Sequence, residues 1–226
     1  ITEEAITRNE SMRGPVGDFR VNQWVTRGVG GMGFAEQPPA VCVNILPIDF
    51  GRYAKEYETG KNGVITQTRS YSPEALDPKI KHHSRMNFNL ATLEANDVDP
   101  GAWALLRDGD GNLTEGVGYN YLLVTDGVIR TSTDKAVLQG VSRGMVFDLA
   151  DQLGIPVVQE DLQPYDLYTA DEAFFASTSF CILPMTRVDK REIGDGRPGP
   201  IAQQLLAAWG EAVGLDIVDQ ATRFAN

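Results

Sequence analysis

Four short pieces of this 226-residue sequence carry side chains whose types and spacing suit chemistry. The first is Ile80-Lys81, followed by His82-His83-Ser84-Arg85-Met86. A lysine amine is a nucleophile at neutral pH where it is partly desolvated and held on a rigid element. Lys79 is a close competitor, and either lysine taken singly is an ordinary solvated charge. The second piece is Leu113-Thr114-Glu115-Gly116-Val117-Gly118-Tyr119-Asn120. Its glycines permit close backbone approach, and the Glu115 carboxylate suits a cationic ring nitrogen; alone it is an exposed strand glutamate. The third, Leu138-Gln139-Gly140-Val141-Ser142-Arg143, sets a glycine turn before a helix start. Free backbone N–H groups there, with the Ser142 hydroxyl, would bind a phosphate, although a plain capped helix reads the same way. The fourth, Phe175-Ala176-Ser177-Thr178-Ser179, is a strand ending in three hydroxyls, a pattern that in most settings only forms a turn.

These pieces need elements to hold them. Phe19 to Thr26, Val41 to Leu46 and Val64 to Thr68 read as strands, with a helix over 53–58. Ser72-Pro73 to Asp77-Pro78 carries two prolines that disfavour regular structure before each, and reads as a linker. The division expected is therefore 1–69 for a small α/β domain, 70–78 for the linker and 79–226 for a larger domain. Met86, Leu90 and Leu93 recur at helical spacing, which predicts an amphipathic helix over 84–96. Beyond it, 103–107 is a strand, 108–111 a turn, and Tyr121 to Arg130 a hairpin whose Asp126-Gly127 suits a type I′ turn. Ser142 can cap a helix to about Leu153, with Gly154 at its C-terminal cap. Strands over 155–159, 172–177 and 181–188 and helices over 164–169 and 200–213 complete the chain. Hairpins mixed with helices indicate an α/β or α+β fold, not a doubly wound parallel sheet.

Composition removes several classes. The net charge of −11 opposes a nucleic-acid surface, which needs clustered Lys and Arg. No apolar run is long enough for a membrane helix and no signal peptide is visible, so a cytoplasmic location is expected. Cys42 and Cys181 lie far apart in apolar runs, so buried free thiols are expected and no metal site. Gly28-Val29-Gly30-Gly31-Met32-Gly33 matches the dinucleotide-binding glycine pattern literally. That motif needs a helix to open within its glycines. Here Pro38-Pro39 follows, and prolines stop a helix at its first turn. A loop near an active site is the better reading.

Taken in order, the four pieces resemble the class IV (fold-type IV) aminotransferases. The resemblance runs from Val25-Thr26-Arg27-Gly28 to Pro198-Gly199-Pro200 and includes Ala170-Asp171-Glu172-Ala173-Phe174 and Ile182-Leu183-Pro184-Met185. It implies a two-domain enzyme that carries pyridoxal 5′-phosphate. Lys81 would hold the cofactor as a Schiff base and shuttle the substrate proton. Glu115 would keep the pyridine nitrogen protonated. Val141 and Ser142 would bind the phosphate with Thr178, beside Ser179, and Leu138 would pack on the ring face. His82 and His83 match no catalytic residue of the family. The family's chains extend further at the N-terminus, so part of the small domain is expected to be absent. In the family, that stretch carries an arginine for the cofactor phosphate and substrate-pocket aromatics.

The resemblance narrows the reaction less than the cofactor. Branched-chain enzymes place a tyrosine where Met86 stands, yet Gly31-Met32-Gly33 is similar to their loop. D-Amino-acid transaminases clamp the substrate carboxylate where Met32 and Phe34 stand, and neither can do so. Lys81 to Arg85 partly resembles aminodeoxychorismate lyases, whereas Thr114-Glu115-Gly116 followed by Gly118 favours transaminases. (R)-Selective amine transaminases share V-T-R-G and lack the tyrosine. The reading is a homodimeric transaminase that moves an amino group from an apolar amino acid of the branched-chain type, or a primary amine, to a 2-oxo acid. The alternatives are a lyase of the aminodeoxychorismate type and a D-amino-acid transaminase. No nucleic-acid or membrane partner is expected.

Overall fold

The protein is described from a computed structural model covering residues 1–13, 18–30 and 38–225. Its chain forms two compact units, one of Ile1–Arg52 with the last residues from Arg223, the other of Tyr53–Thr222. In the first unit, helix α1 (Thr2–Arg8) packs on a two-stranded antiparallel pair. The pair is β1 (Phe19–Thr26) and β2 (Ala40–Pro47), in register from Phe19↔Pro47 to Thr26↔Ala40.

The second unit opens with α2 (Ala54–Thr59), β3 (Lys61–Arg69), α3 (Met86–Val98) and β4 (Trp103–Arg107). Then follow β5 (Leu113–Gly116), β6 (Asn120–Thr125), β7 (Val128–Thr131) and α4 (Val141–Gln152). The remainder is β8 (Val157–Gln159), α5 (Pro164–Tyr168), β9 (Glu172–Ser177), β10 (Cys181–Val188), β11 (Arg191–Glu192), α6 (Pro200–Val213) and α7 (Ile217–Arg223). Nine strands make one mixed sheet in the order β5-β4-β3-β10-β9-β6-β7-β8, with β11 on β10. Strand β3 runs parallel to both neighbours, and the rest of the path is antiparallel except β7–β8. This is the mixed α/β architecture that the sequence predicts.

Local chemistry explains the joints. Asp126 (φ 52°) and Gly127 (φ 75°) both adopt positive φ in the β6–β7 turn, as a type I′ hairpin requires. Glu172 is buried on β9 and its carboxylate accepts the N–H groups of Ile201 and Ala202, both at 3.1 Å, at the start of α6. Tyr121, Leu122, Phe174, Phe175, Leu183, Leu149 and Leu205 form the main core. A second cluster packs Phe88, Ala91 and Ala95 of α3 on Val64, Ala104 and Leu106.

Several expectations change. The compact units divide after Arg52, and the stretch expected to link two domains (70–78) lies inside the second unit. The reason is β3, which bonds to β4 and β10 in the middle of the large sheet instead of belonging to a small domain. Helix α3 begins at Met86, and Met86, Leu90 and Leu93 face solvent. Its buried face is Phe88, Ala91 and Ala95, where the two alanines let the helix lie close on the strands and Phe88 fills the core beside them. Ser142 sits inside α4 with Gly140 as its N-cap, and α7, absent from the sequence reading, begins where Asp219 N–H bonds to Asp216 Oδ1 at 2.8 Å. Both cysteines are free, but Cys42 is exposed on β2. Residues 31–37, with Met32 and Phe34 of the glycine loop, lie outside the described residues. Among the described residues no helix is long and apolar enough to cross a membrane, and no group of His, Cys, Asp and Glu gathers as metal ligands.

Candidate active site

The pieces singled out in the sequence converge on one cavity of about 240 Å³, built wholly from the second unit. Lys81, Glu115, Leu138, Val141, Ser142 and Thr178 all line it. Ser179 does not; it is exposed in the turn between β9 and β10. The two lysines differ in position. Lys79 Nζ pairs with Asp77 Oδ2 at 3.4 Å on the surface and does not line the cavity. Lys81 does, from a segment without regular structure that precedes α3. The segment holds itself by short-range bonds, Ile80 N–H to Asp77 O at 3.0 Å and His82 N–H to Ile80 O at 2.9 Å.

Glu115 enters from near the end of β5 and is half-buried. Its Oε2 accepts the Leu138 N–H at 3.1 Å. Burial pushes this carboxyl up to about 7, against the pull of that N–H and of the Arg85, Lys81 and Arg143 charges. The following residues make a tight turn, with Gly116 N–H bonded to Tyr119 O at 3.0 Å. Gly116 has no room for a side chain, since a Cβ would stand 1.8 Å from the Tyr119 ring. That ring stacks on Trp103 at 4.6 Å and its hydroxyl donates to Ala104 O at 3.0 Å. Gly118 is different: a Cβ would meet open space, and its carbonyl accepts the Ser177 hydroxyl at 2.9 Å.

On the far side, Gly140 leads into α4. Its own N–H turns back to Leu138 O at 2.8 Å, and the first helical bond runs from Gly144 N–H to Gly140 O at 2.9 Å. The N–H groups of Val141, Ser142 and Arg143 precede that bond and have no partner within the helix. A Cβ on Gly140 would fall 2.3 Å from Asn120 Oδ1, while Asn120 Nδ2 donates to Leu138 O at 3.0 Å. Asn120 thus clamps the turn that delivers both Leu138 and the helix start. Arg143 bonds to Asp134 at 2.7 Å and to Ser132 O at 2.6 Å. With Thr178 also on the cavity wall, the helix end forms an anion cradle on which the free N–H dipoles converge.

Among the cavity residues given no task in the sequence reading are Tyr71, Arg85, Tyr119 and Asn120. The last two stand inside a recognised motif, so their positions were legible but their tasks were not. His82, expected to be structural or exposed, is half-buried on the cavity wall against Tyr71, ring to ring at 5.4 Å. His83 is exposed, as expected. The residues fit a phosphorylated aromatic aldehyde: an amine, a half-buried acid for a ring nitrogen, an apolar side chain for a ring face and an anion cradle.

Comparison with known proteins gives one consistent result. A family model described as amino-transferase class IV matches residues 1–188. A putative branched-chain-amino-acid aminotransferase of Methanocaldococcus jannaschii is 35% identical, over 83% of this chain and 65% of that protein. The branched-chain-amino-acid aminotransferase of Pseudomonas aeruginosa is 32% identical, over 85% of this chain and 64% of that protein. The chain therefore spans less than two thirds of the length of these relatives. Among solved structures, the Escherichia coli branched-chain amino acid aminotransferase aligns at a TM-score of 0.81, with 26% identity over 95% of this chain and 69% of that one. A T.th. branched-chain amino acid aminotransferase with pyridoxamine 5′-phosphate aligns at 0.83, with 25% identity. That alignment covers 94% of this chain and 70% of the other.

Proposed function

We propose, from the premise that this chain belongs to the class IV aminotransferase family, that it forms the cofactor-binding part of a pyridoxal-phosphate transaminase. The observation that carries the proposal is the cavity in which an amine, a poised acid and an anion cradle meet. When bound, the cofactor would supply an electron-withdrawing ring able to take up charge from the donor's Cα. The chain's own groups divide the remaining work. Lys81 Nζ would bind the cofactor's aldehyde carbon and, once displaced by the donor, carry the proton between the donor's Cα and C4′. Glu115 would hold the proton on the ring nitrogen through its charge. The N–H groups opening α4, with Ser142 and Thr178, would hold the phosphate, and Leu138 would cover one ring face.

Borohydride reduction after incubation with pyridoxal phosphate, followed by peptide mapping, tests the assignment. Label is expected on Lys81; label on Lys79 would overturn it.

The donor belongs to the same proposal. The relatives named above are branched-chain aminotransferases, which supports an apolar amino acid as donor and a 2-oxo acid as acceptor. In half-reactions, leucine or an (R)-arylalkylamine is expected to outpace D-alanine and aspartate. Fastest reaction with D-alanine or aspartate would sink the apolar reading, and release of pyruvate without amino transfer would make the enzyme a lyase. The reading includes a homodimer, as the family resemblance implies, and a cytoplasmic location. Sedimentation as a monomer would remove the dimer from it.

A further inference from the structure

Arg85 has no role in the reading above, yet it lines the cavity. Its backbone is fixed by the start of α3, where its carbonyl accepts the Asn89 N–H at 2.9 Å. Its guanidinium lies over the Phe88 ring at 3.9 Å, and Phe88 is anchored in the core beneath α3. From there it donates a hydrogen bond to the carbonyl of Val117, in the turn that follows Glu115. Three side chains hold that turn. Tyr119 grips it from the aromatic core and Ser177 from β9, while Arg85 comes from the segment that bears Lys81. That segment has neither helix nor strand, so its distance from Glu115 is not set by sheet or helix geometry.

We propose that Arg85 is a positioning residue, a latch that ties the Lys81 segment to the Gly116–Tyr119 turn and so sets the separation of the amine and the acid across the cavity. The inference rests on the functional reading for its purpose, but its geometry is independent of any bound group. The charged and titratable groups that face Glu115 are Lys81 and Arg85 before α3, Arg143 on α4 and Tyr121 on β6, with the Leu138 N–H as its bonded partner. Arg85 is partly desolvated, which holds its own proton affinity below the usual range, while the Glu115 charge supports it. Its removal therefore loosens a mechanical tie and subtracts a positive charge from the field at Glu115.

Two variants separate these effects, Arg85→Met and Arg85→Lys, both measured in the protein without added cofactor. Arg85→Met is expected to raise amide hydrogen exchange in 116–119 and 79–84 together, by about tenfold, the weight of one charge-assisted hydrogen bond. It is also expected to move the Glu115 carboxyl titration, followed by ¹³C NMR, upward from about 7. Arg85→Lys restores the charge without the guanidinium fork, so the titration should return towards the parent value while exchange stays fast. Unchanged exchange in the 116–119 turn with both variants would overturn the latch. So would a rise confined to α3, which would make Arg85 a simple helix anchor. If Arg85→Met does not fold, Arg85→Lys alone still decides the exchange outcome. Failure of the parent protein to take up pyridoxal phosphate would refute the functional reading and leave the latch standing.

Discussion

At the scale of single residues, Glu115 offers the sharpest electrostatic test. Its carboxyl lies near 7 in the folded protein against an ordinary value of 4.5. Between these values the folded state binds more protons than the unfolded chain, so stability is fully present below 4.5 and falls as pH rises towards 7. Glu115→Gln should flatten this decline in the cofactor-free protein, giving a higher melting temperature than the parent at about pH 8 and little difference at about pH 4.5. A parent protein whose stability does not fall across that window would refute the burial of the carboxyl. The same variant should still bind pyridoxal phosphate yet lose most of its transamination rate, and near-full activity would refute the electron-sink role. The sequence singled out Glu115 and Lys81, which line one cavity, because each stands inside a short run of residues that carries the family pattern. It did not disclose Arg85, since an arginine at a helix start is ordinary until its partner, a carbonyl 32 positions away, is known.

At the scale of elements, the Ala170-Asp171-Glu172 motif acquires a physical cause. Recognised in the sequence only as a family pattern, it puts a buried carboxylate where the first N–H groups of α6 need an acceptor. Gly199 must lack a side chain because a Cβ would stand 2.1 Å from the Glu172 carboxyl carbon. Glu172→Gln keeps the shape but turns an NH₂ towards a donor, and is expected to cost about 1–3 kcal/mol, read as a lower urea midpoint. An unchanged midpoint would mean that α6 does not depend on the cap. Helix α3 shows the opposite case, where periodicity found the helix but chose the wrong face. Leucines at helical spacing are the usual sign of a buried stripe, but close packing on a sheet favours Ala91 and Ala95, which a search for large apolar side chains does not pick out.

At the scale of the whole molecule, turns and hairpins were legible because their signals are local, as at Asp126-Gly127. The division of the chain was not. Pro73 and Pro78 looked like a boundary, yet β3 before them pairs with strands from two later regions of the chain. Strand partners distant in sequence leave no trace in composition or spacing, so the linker reading had no means of seeing that the sheet runs through it.

The same strand has a consequence for how the chain comes into being. Gly63 of β3 sits beside Val188 of β10, and the whole β4–β9 stretch is made between them. On the ribosome, β3 and β4 can associate early, while the other flank of β3 stays a bare row of hydrogen-bonding groups until β10 emerges. Closing so long a loop is slow, and an uncovered strand flank in the meantime invites pairing with other chains. The interior strand that unites the finished sheet is therefore left half-covered in the nascent chain until β10 has been made.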